Sequence, residues 1–187
     1  MSHLSDRPNS QERVPIGTRP LLMVDIDGVL SLFGPGAPGD DPARPVRSGS
    51  FHSIEGIPHF LSASAAAHLL DLHALYQLVW ASGWEERADE HLPHLLGVPR
   101  DLPFLRFRRD LAGANKTRNA HWKLDAIDTY AGARALAWID DALDEECHAW
   151  AAAREAPTLL VQTEPEHGLT DREAELLRRW AQALAPG

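Results

Sequence analysis

The segment RPLLMVDIDGVL, residues 19–30, constrains this chain more than any other. From Leu21 to Ile26 it is apolar except for Asp25, and Gly28 ends it. A short, continuous apolar run stopped by a turn residue suits a strand buried on both faces of a parallel sheet. Similar runs recur downstream: QLVWAS (77–82), PFLRF (103–107), RALAWIDD (134–141) and PTLLVQT (157–163). Between them, helices are expected over 64–76, around 85–92, over 121–130 with Gly132 as the stop, and from the capping box Thr170-x-x-Glu173 to about Leu184. In the first of these, Ala67, Leu70, Ala74 and Leu75 would share the buried face. In the second, Glu85 and Glu86 would face the positive helix start. Residues 34–50 are rich in Gly, Pro and Ser and read as a loop, with a short hairpin expected at roughly 46–61. Five strands alternating with helices predict an α/β fold with an open, mostly parallel sheet and helices on both faces.

Length and charge narrow the class further. The 187 residues suit one domain, residues 19–187, behind a polar tail at 1–18. With 27 acidic against 18 basic residues the formal charge is −9, which disfavours sequence-blind attachment to nucleic acid or anionic lipid. RFRR at 106–109 is a local exception that could guide a polyanion; an exposed strand end is its plainer reading. One cysteine, Cys147, excludes an internal disulfide and fits a reducing compartment. No membrane span and no signal peptide is apparent, so a cytoplasmic location is the expectation.

In open α/β sheets, sites form beyond the carboxyl ends of the strands. Polar residues stand at those ends four times: Asp25 and Asp27, Ser82, Asp140 and Asp141, then Thr163 and Glu164. A single such Asp is most simply a turn former or helix cap. As a set, the acids would repel one another unless a cation stood between them, and an oxygen-only ligand set suits Mg²⁺.

LLMVDIDGVL resembles the first motif of the haloacid dehalogenase (HAD) superfamily, hhhhDxDx(T/V)L. QLVWASGW resembles the second, a strand ending in Ser or Thr. WKLDAI can supply the third-motif lysine, and LAWIDDALDE resembles the fourth, a strand ending in paired acids. The likeness spans roughly residues 20–165 in the family's order. The whole chain also resembles a branch related to phosphatase domains in multidomain RNA-repair proteins. The resemblance implies a Rossmannoid three-layer sandwich and a Mg²⁺-dependent phosphohydrolase working through an aspartyl-phosphate. In it Asp25 would be the nucleophile. Asp27 would be the general acid and base and, through its backbone carbonyl, a metal ligand. Gly28 would let the chain turn away without crowding the phosphate. Ser82, with the Gly83 amide, would bind phosphate; a plain helix N-cap is the alternative for Ser82. Lys123 or Lys116 would neutralise the phosphate, with Lys123 preferred as the start of a helix. Asp140 would ligate Mg²⁺, and Asp141 directly or through water. Trp84, at the rim, would pack on a substrate ring or simply on its neighbours.

The interval after the first motif has room for a hairpin flap and not for a cap domain, so a minimal cap is expected. An open site of this kind admits a phosphorylated small molecule or a nucleic-acid end. Asp27 disfavours dehalogenation, since dehalogenases of the superfamily lack the second acid. Phosphotransfer to an acceptor other than water, or a non-catalytic phosphate-binding module, are the alternatives. LAGANKTRN lacks the GxxxxGK(S/T) spacing of a nucleotide-binding phosphate loop, and HLPH is no recognised zinc spacing.

Overall fold

A computed structural model describes residues 19–38, 48–107 and 119–185. The polar tail, Lys116, Arg108, Arg109 and most of the Gly/Pro-rich loop lie outside the described residues. Four strands form a parallel sheet: β1 (Leu21–Val24), β5 (Gln77–Trp80), β6 (Leu136–Asp140) and β7 (Thr158–Gln162), in the order β5-β1-β6-β7. Every residue of β1 and β6 is buried, as expected for strands covered on both faces.

Alternation along these strands sorts the core into two layers. Leu22, Val24, Leu78, Trp80, Ala137 and Ile139 face α1 (Ala63–Leu72), α2 (Arg87–Leu96) and α5 (Asp171–Leu184). Leu21, Met23, Val79, Leu136 and Trp138 face α3 (Leu124–Ala131) and α4 (Glu145–Ala153). The result is the expected three-layer α/β sandwich. Between β1 and α1 lies a smaller antiparallel sheet, β2-β4-β3, made of Ser31–Leu32, Ile57–Ser62 and Gly49–Ile54. Its β3–β4 hairpin is the expected flap, whereas β2 has no sequence signal because two residues are too few to show alternation.

Several boundaries differ from expectation. Residues 103–107 do not form a named strand: one parallel bridge joins Phe104 to Trp80, at the outer edge of β5. Helix α1 is capped by Ser62, whose hydroxyl accepts from the Ala65 amide, and it ends at Leu72. It buries Ala65, Ala66, Leu69 and Leu72, so its inner face is rotated from the expected one and Leu70 is exposed. Helix α2 starts at Arg87, so Glu85 and Glu86 precede it; the first-turn acids are Asp89 and Glu90. Helix α5 has the expected capping box at Thr170 and Glu173. Among the described residues no helix is long and apolar enough to cross a membrane.

Candidate active site

The strand register assembles the site. Val24 pairs with Ile139 on one side and with Trp80 on the other. The next residues are therefore neighbours too: the Asp25 amide donates to the Ile139 carbonyl at 3.0 Å, and the Ala81 amide to the Val24 carbonyl at 2.8 Å. Adjacent strands lie about 4.8 Å apart, so carboxylates at one level of the sheet edge come close without special packing. Oxygens of Asp25, Asp140 and Asp141 all lie within 4.8 Å of one another.

Lys123 sits beneath this group. It closes a 3₁₀ turn, His121–Lys123, that runs into α3. The Ala120 amide donates to the Ala142 carbonyl at 2.8 Å, which ties that turn to the loop after β6. The Lys123 ammonium is thereby held 2.6 Å from Asp140 Oδ2 and 2.9 Å from Asp25 Oδ2, with 4% of its surface exposed. Its Nζ also lies 5.4 Å from the centre of the Trp122 ring. Asp140 Oδ1 accepts from the Ala142 amide at 3.0 Å.

Burial and mutual repulsion dominate the proton affinities here. Burial works against the Lys123 charge, yet Asp140 and Asp25 together hold its proton more tightly than usual. Burial raises the Asp140 carboxyl, against the pull of Lys123. Asp141 is pushed up to about 7 by burial, then by the charges of Asp140 and Asp25. One ammonium does not balance three carboxylates, and the acids that remain favour a proton or a cation between them. An ion with oxygen bonds near ~2.1 Å spans oxygens about 4.2 Å apart, so the spacing of the three acids is compatible with one divalent metal.

The turn after β1 is built for this approach. Gly28 has φ +72°, a conformation that costs little only for glycine. A Cβ there would stand 2.5 Å from Asp141 Cγ and 2.7 Å from its Oδ2. Gly28 thus makes room for the Asp141 carboxylate. Thr163, buried at the end of β7, donates to the Gly28 carbonyl at 2.8 Å and fixes that turn. Gly28→Ala should lower stability by about 2 kcal/mol through clash and strain and weaken divalent-cation binding at least tenfold. Calorimetric titration and chemical denaturation would measure both effects, and an unchanged affinity would remove Gly28 from the site.

Asp27 stands outside the three-acid group, and its carboxylate turns the other way. Its Oδ2 accepts from Trp84 Nε1 at 3.0 Å, and His59 Nδ1 of β4 lies 3.8 Å from Oδ1. Burial and the Asp25 charge raise its proton affinity, while the Trp84 hydrogen bond acts in the opposite sense. Of the two settings expected for Trp84, the structure shows packing on its neighbours. It is 7% exposed, packs in the core of β1 and β5, and has its N–H committed to Asp27. It also borders a cleft of about 290 Å³ between the flap and α2. Ser82 is buried just past β5. It is no cap for α2, whose cap position is Glu86; its own carbonyl accepts from the Glu85 amide. Gly83 follows, with room beside it: a Cβ there would stand 4.0 Å from the Trp122 ring, the far limit of ordinary contact. Arg106 is exposed, stacks over Phe104 and lies 3.7 Å from Glu86.

A family model for the HAD domain in Swiss Army Knife RNA repair proteins matches residues 21–174. The chain belongs to this family. Comparison with curated proteins and with solved structures gave no match. Membership in this HAD family supports a hydrolase of phosphatase type, and the carboxylate cluster is compatible with the divalent metal that HAD domains use. His59 and Trp122 escaped the sequence reading. His59 belongs to no motif and reaches the site through tertiary packing alone, whereas Trp122 stands next to Lys123 in WKLDAI, where only the lysine carried a signal.

Proposed function

We propose that this HAD domain is a Mg²⁺-dependent phosphomonoesterase that works through an aspartyl-phosphate on Asp25, with nucleotides or nucleic-acid end phosphates as substrates. The observation that carries the reading is the division of labour between the first two acids. Asp25 is buried beside Lys123 and within reach of Asp140 and Asp141. Asp27, two residues on, is turned away from that group and is prone to hold a proton. A nucleophile must be ionised and positioned, whereas an acid must be protonated on the side of the leaving group.

In this reading an Asp25 carboxylate oxygen attacks phosphorus, and Asp27 gives its proton to the departing ester oxygen. Asp27, now ionised, takes a proton from water, which attacks the same phosphorus and releases phosphate from Asp25. Lys123 offsets the negative charge on the transferring group. Ser82 Oγ and the Gly83 amide hold its oxygens. Asp25, Asp140 and Asp141, with the Asp27 backbone carbonyl, would hold Mg²⁺; when bound, it supplies charge neutralisation at the phosphoryl oxygens. The RNA-repair name of the family and the small hairpin cap support a bulky phosphorylated end as substrate. A reducing, cytoplasmic setting is consistent with Cys147, which is free and buried.

The test is a panel of phosphate esters, including mononucleotides and 3′- and 5′-phosphorylated oligonucleotides, assayed with Mg²⁺ and with chelator. Phosphate release that requires the metal is expected. Activity untouched by chelation, or none on any ester, would overturn the reading.

Cation binding should depend on pH. The folded state retains the Asp141 proton up to about 7, whereas an unfolded Asp loses it near ~4. Between these values the metal-free protein should lose stability as pH rises, because the folded state binds the extra proton. A cation must displace that proton, so its affinity should rise about tenfold per pH unit below 7 and then level off. Titration at several pH values, in buffers of different ionisation enthalpy, would detect the released proton; a pH-independent affinity would contradict the account.

A further inference from the structure

We propose that Trp84 and His59 are positioning residues for Asp27, and that through them the flap hairpin sets where the acid points. The inference rests on the phosphatase reading and adds residues to it. About half of the Asp27 side-chain surface is open to solvent, 48%. An aspartate this open would ordinarily sample several rotamers, which is a poor state for a group that must meet one departing oxygen. Two contacts restrict it. Trp84 Nε1 donates to Oδ2 at 3.0 Å and leaves Oδ1 to carry the proton. His59 borders Oδ1 at 3.8 Å, too long for a hydrogen bond but close enough to block rotation toward the flap.

The two rings are themselves held. His59 Nδ1 lies 2.9 Å from Ser31 Oγ, and its ring meets Trp84 edge to face, with centroids 4.9 Å apart at 71°. Trp84 comes from the loop after β5 and His59 from β4, so the acid is gripped from two separate elements. In the hairpin turn, Glu55 pairs with Arg87 of α2 at 2.6 Å. That pair is exposed and adds little stability, but it spans the outer edge of the cleft lined by Asp27, Ile57, His59, Trp84 and Arg87. The leaving group would occupy this cleft, next to Oδ1.

Trp84→Phe keeps an aromatic ring and deletes the donor, together with part of the indole's volume. His59→Phe keeps an edge-to-face contact and deletes the anchor to Ser31. A misplaced acid should matter in proportion to how badly the leaving oxygen needs a proton. With Mg²⁺ present, kcat/KM for phenyl phosphate, which reports formation of the aspartyl-phosphate and not its hydrolysis, should therefore fall about tenfold in Trp84→Phe. For 2,4-dinitrophenyl phosphate, whose leaving group departs as a stable anion, it should fall less than about twofold. His59→Phe should give the same split in kcat/KM with a smaller amplitude. Equal losses on the two esters, or no loss on either, would overturn the positioning role. Should Trp84→Phe not fold, the split is still required of His59→Phe, and equal losses there overturn it as well. A wild-type protein inert toward both esters would remove the phosphatase reading itself, and the positioning role with it.

Discussion

Asp25→Asn is expected to abolish phosphate release, with a fall in kcat on the order of 10⁴-fold. The substitution changes the side chain by one group, but an amide is no nucleophile toward phosphorus. The fold should survive it. Asp25 is buried at the end of β1 beside Asp140 and Asp141, so removing its charge relieves repulsion within the cluster. Thermal unfolding without metal should show Asp25→Asn no less stable than wild type, while substrate turnover disappears. Loss of activity together with loss of fold would say nothing for catalysis. Retained activity in a folded Asp25→Asn protein would remove Asp25 from the reaction.

Lys123→Met should be the most destabilising single change at the site. Lys123 is 4% exposed and lies within 3 Å of two carboxylate oxygens. Replacing it leaves Asp25 and Asp140 buried, with Asp141 half-buried beside them, without a fixed counter-charge, and breaking one partner of a buried ion pair typically costs about 3–5 kcal/mol. Denaturant titration without metal should show a loss of at least about 3 kcal/mol. Saturating Mg²⁺ should return part of it, because a cation offsets the same repulsion. Activity should fall even where the fold is restored, since the ammonium also offsets charge on the transferring phosphoryl group. A loss below about 1 kcal/mol, the range of an exposed pair, would mean that Lys123 does not hold the acids together.

Much of the sheet was legible because buried parallel strands leave an unmistakable mark: short apolar runs such as LLMV and LAWID, each closed by acids. The acids themselves were legible for the same reason. A carboxylate at the end of a strand with no polar face stands at the sheet edge, and the register of β1 with β6 brings Asp25 beside Asp140. The choice between Lys123 and Lys116 was not decidable from spacing; the 2.9 and 2.6 Å contacts of Lys123 give it a partner on each side, and Lys116 lies outside the described residues.

Other features had no local signal. The α1 region, ASAAAHLLDLHAL, is apolar nearly all round, so its periodicity did not choose between the face with Leu69 and Leu72 and the face with Leu70. PFLRF has strand composition but meets only the rim of β5, where a single bridge forms. Trp84 was legible as a residue near the site and not as a donor to Asp27, because that bond depends on how the loop after β5 folds back over the first motif. His59 was invisible for a stronger reason. It reaches Asp27 only once the β3–β4 hairpin has folded over the first motif, with β4 paired to β2. Gly28 was legible as a turn glycine, but its closeness to Asp141, a residue more than a hundred positions later, was not.

The most direct measurement is chemical capture of the covalent intermediate. The protein would be mixed with a phosphate ester and Mg²⁺, quenched, reduced with borohydride and mapped by peptide mass spectrometry. Reduction of an acyl phosphate converts the aspartate that carried it to homoserine. Homoserine at position 25, absent without the divalent cation, is the expected result. Modification at Asp27 or Asp140 instead, or phosphate release during turnover with residue 25 left unmodified, would contradict the account.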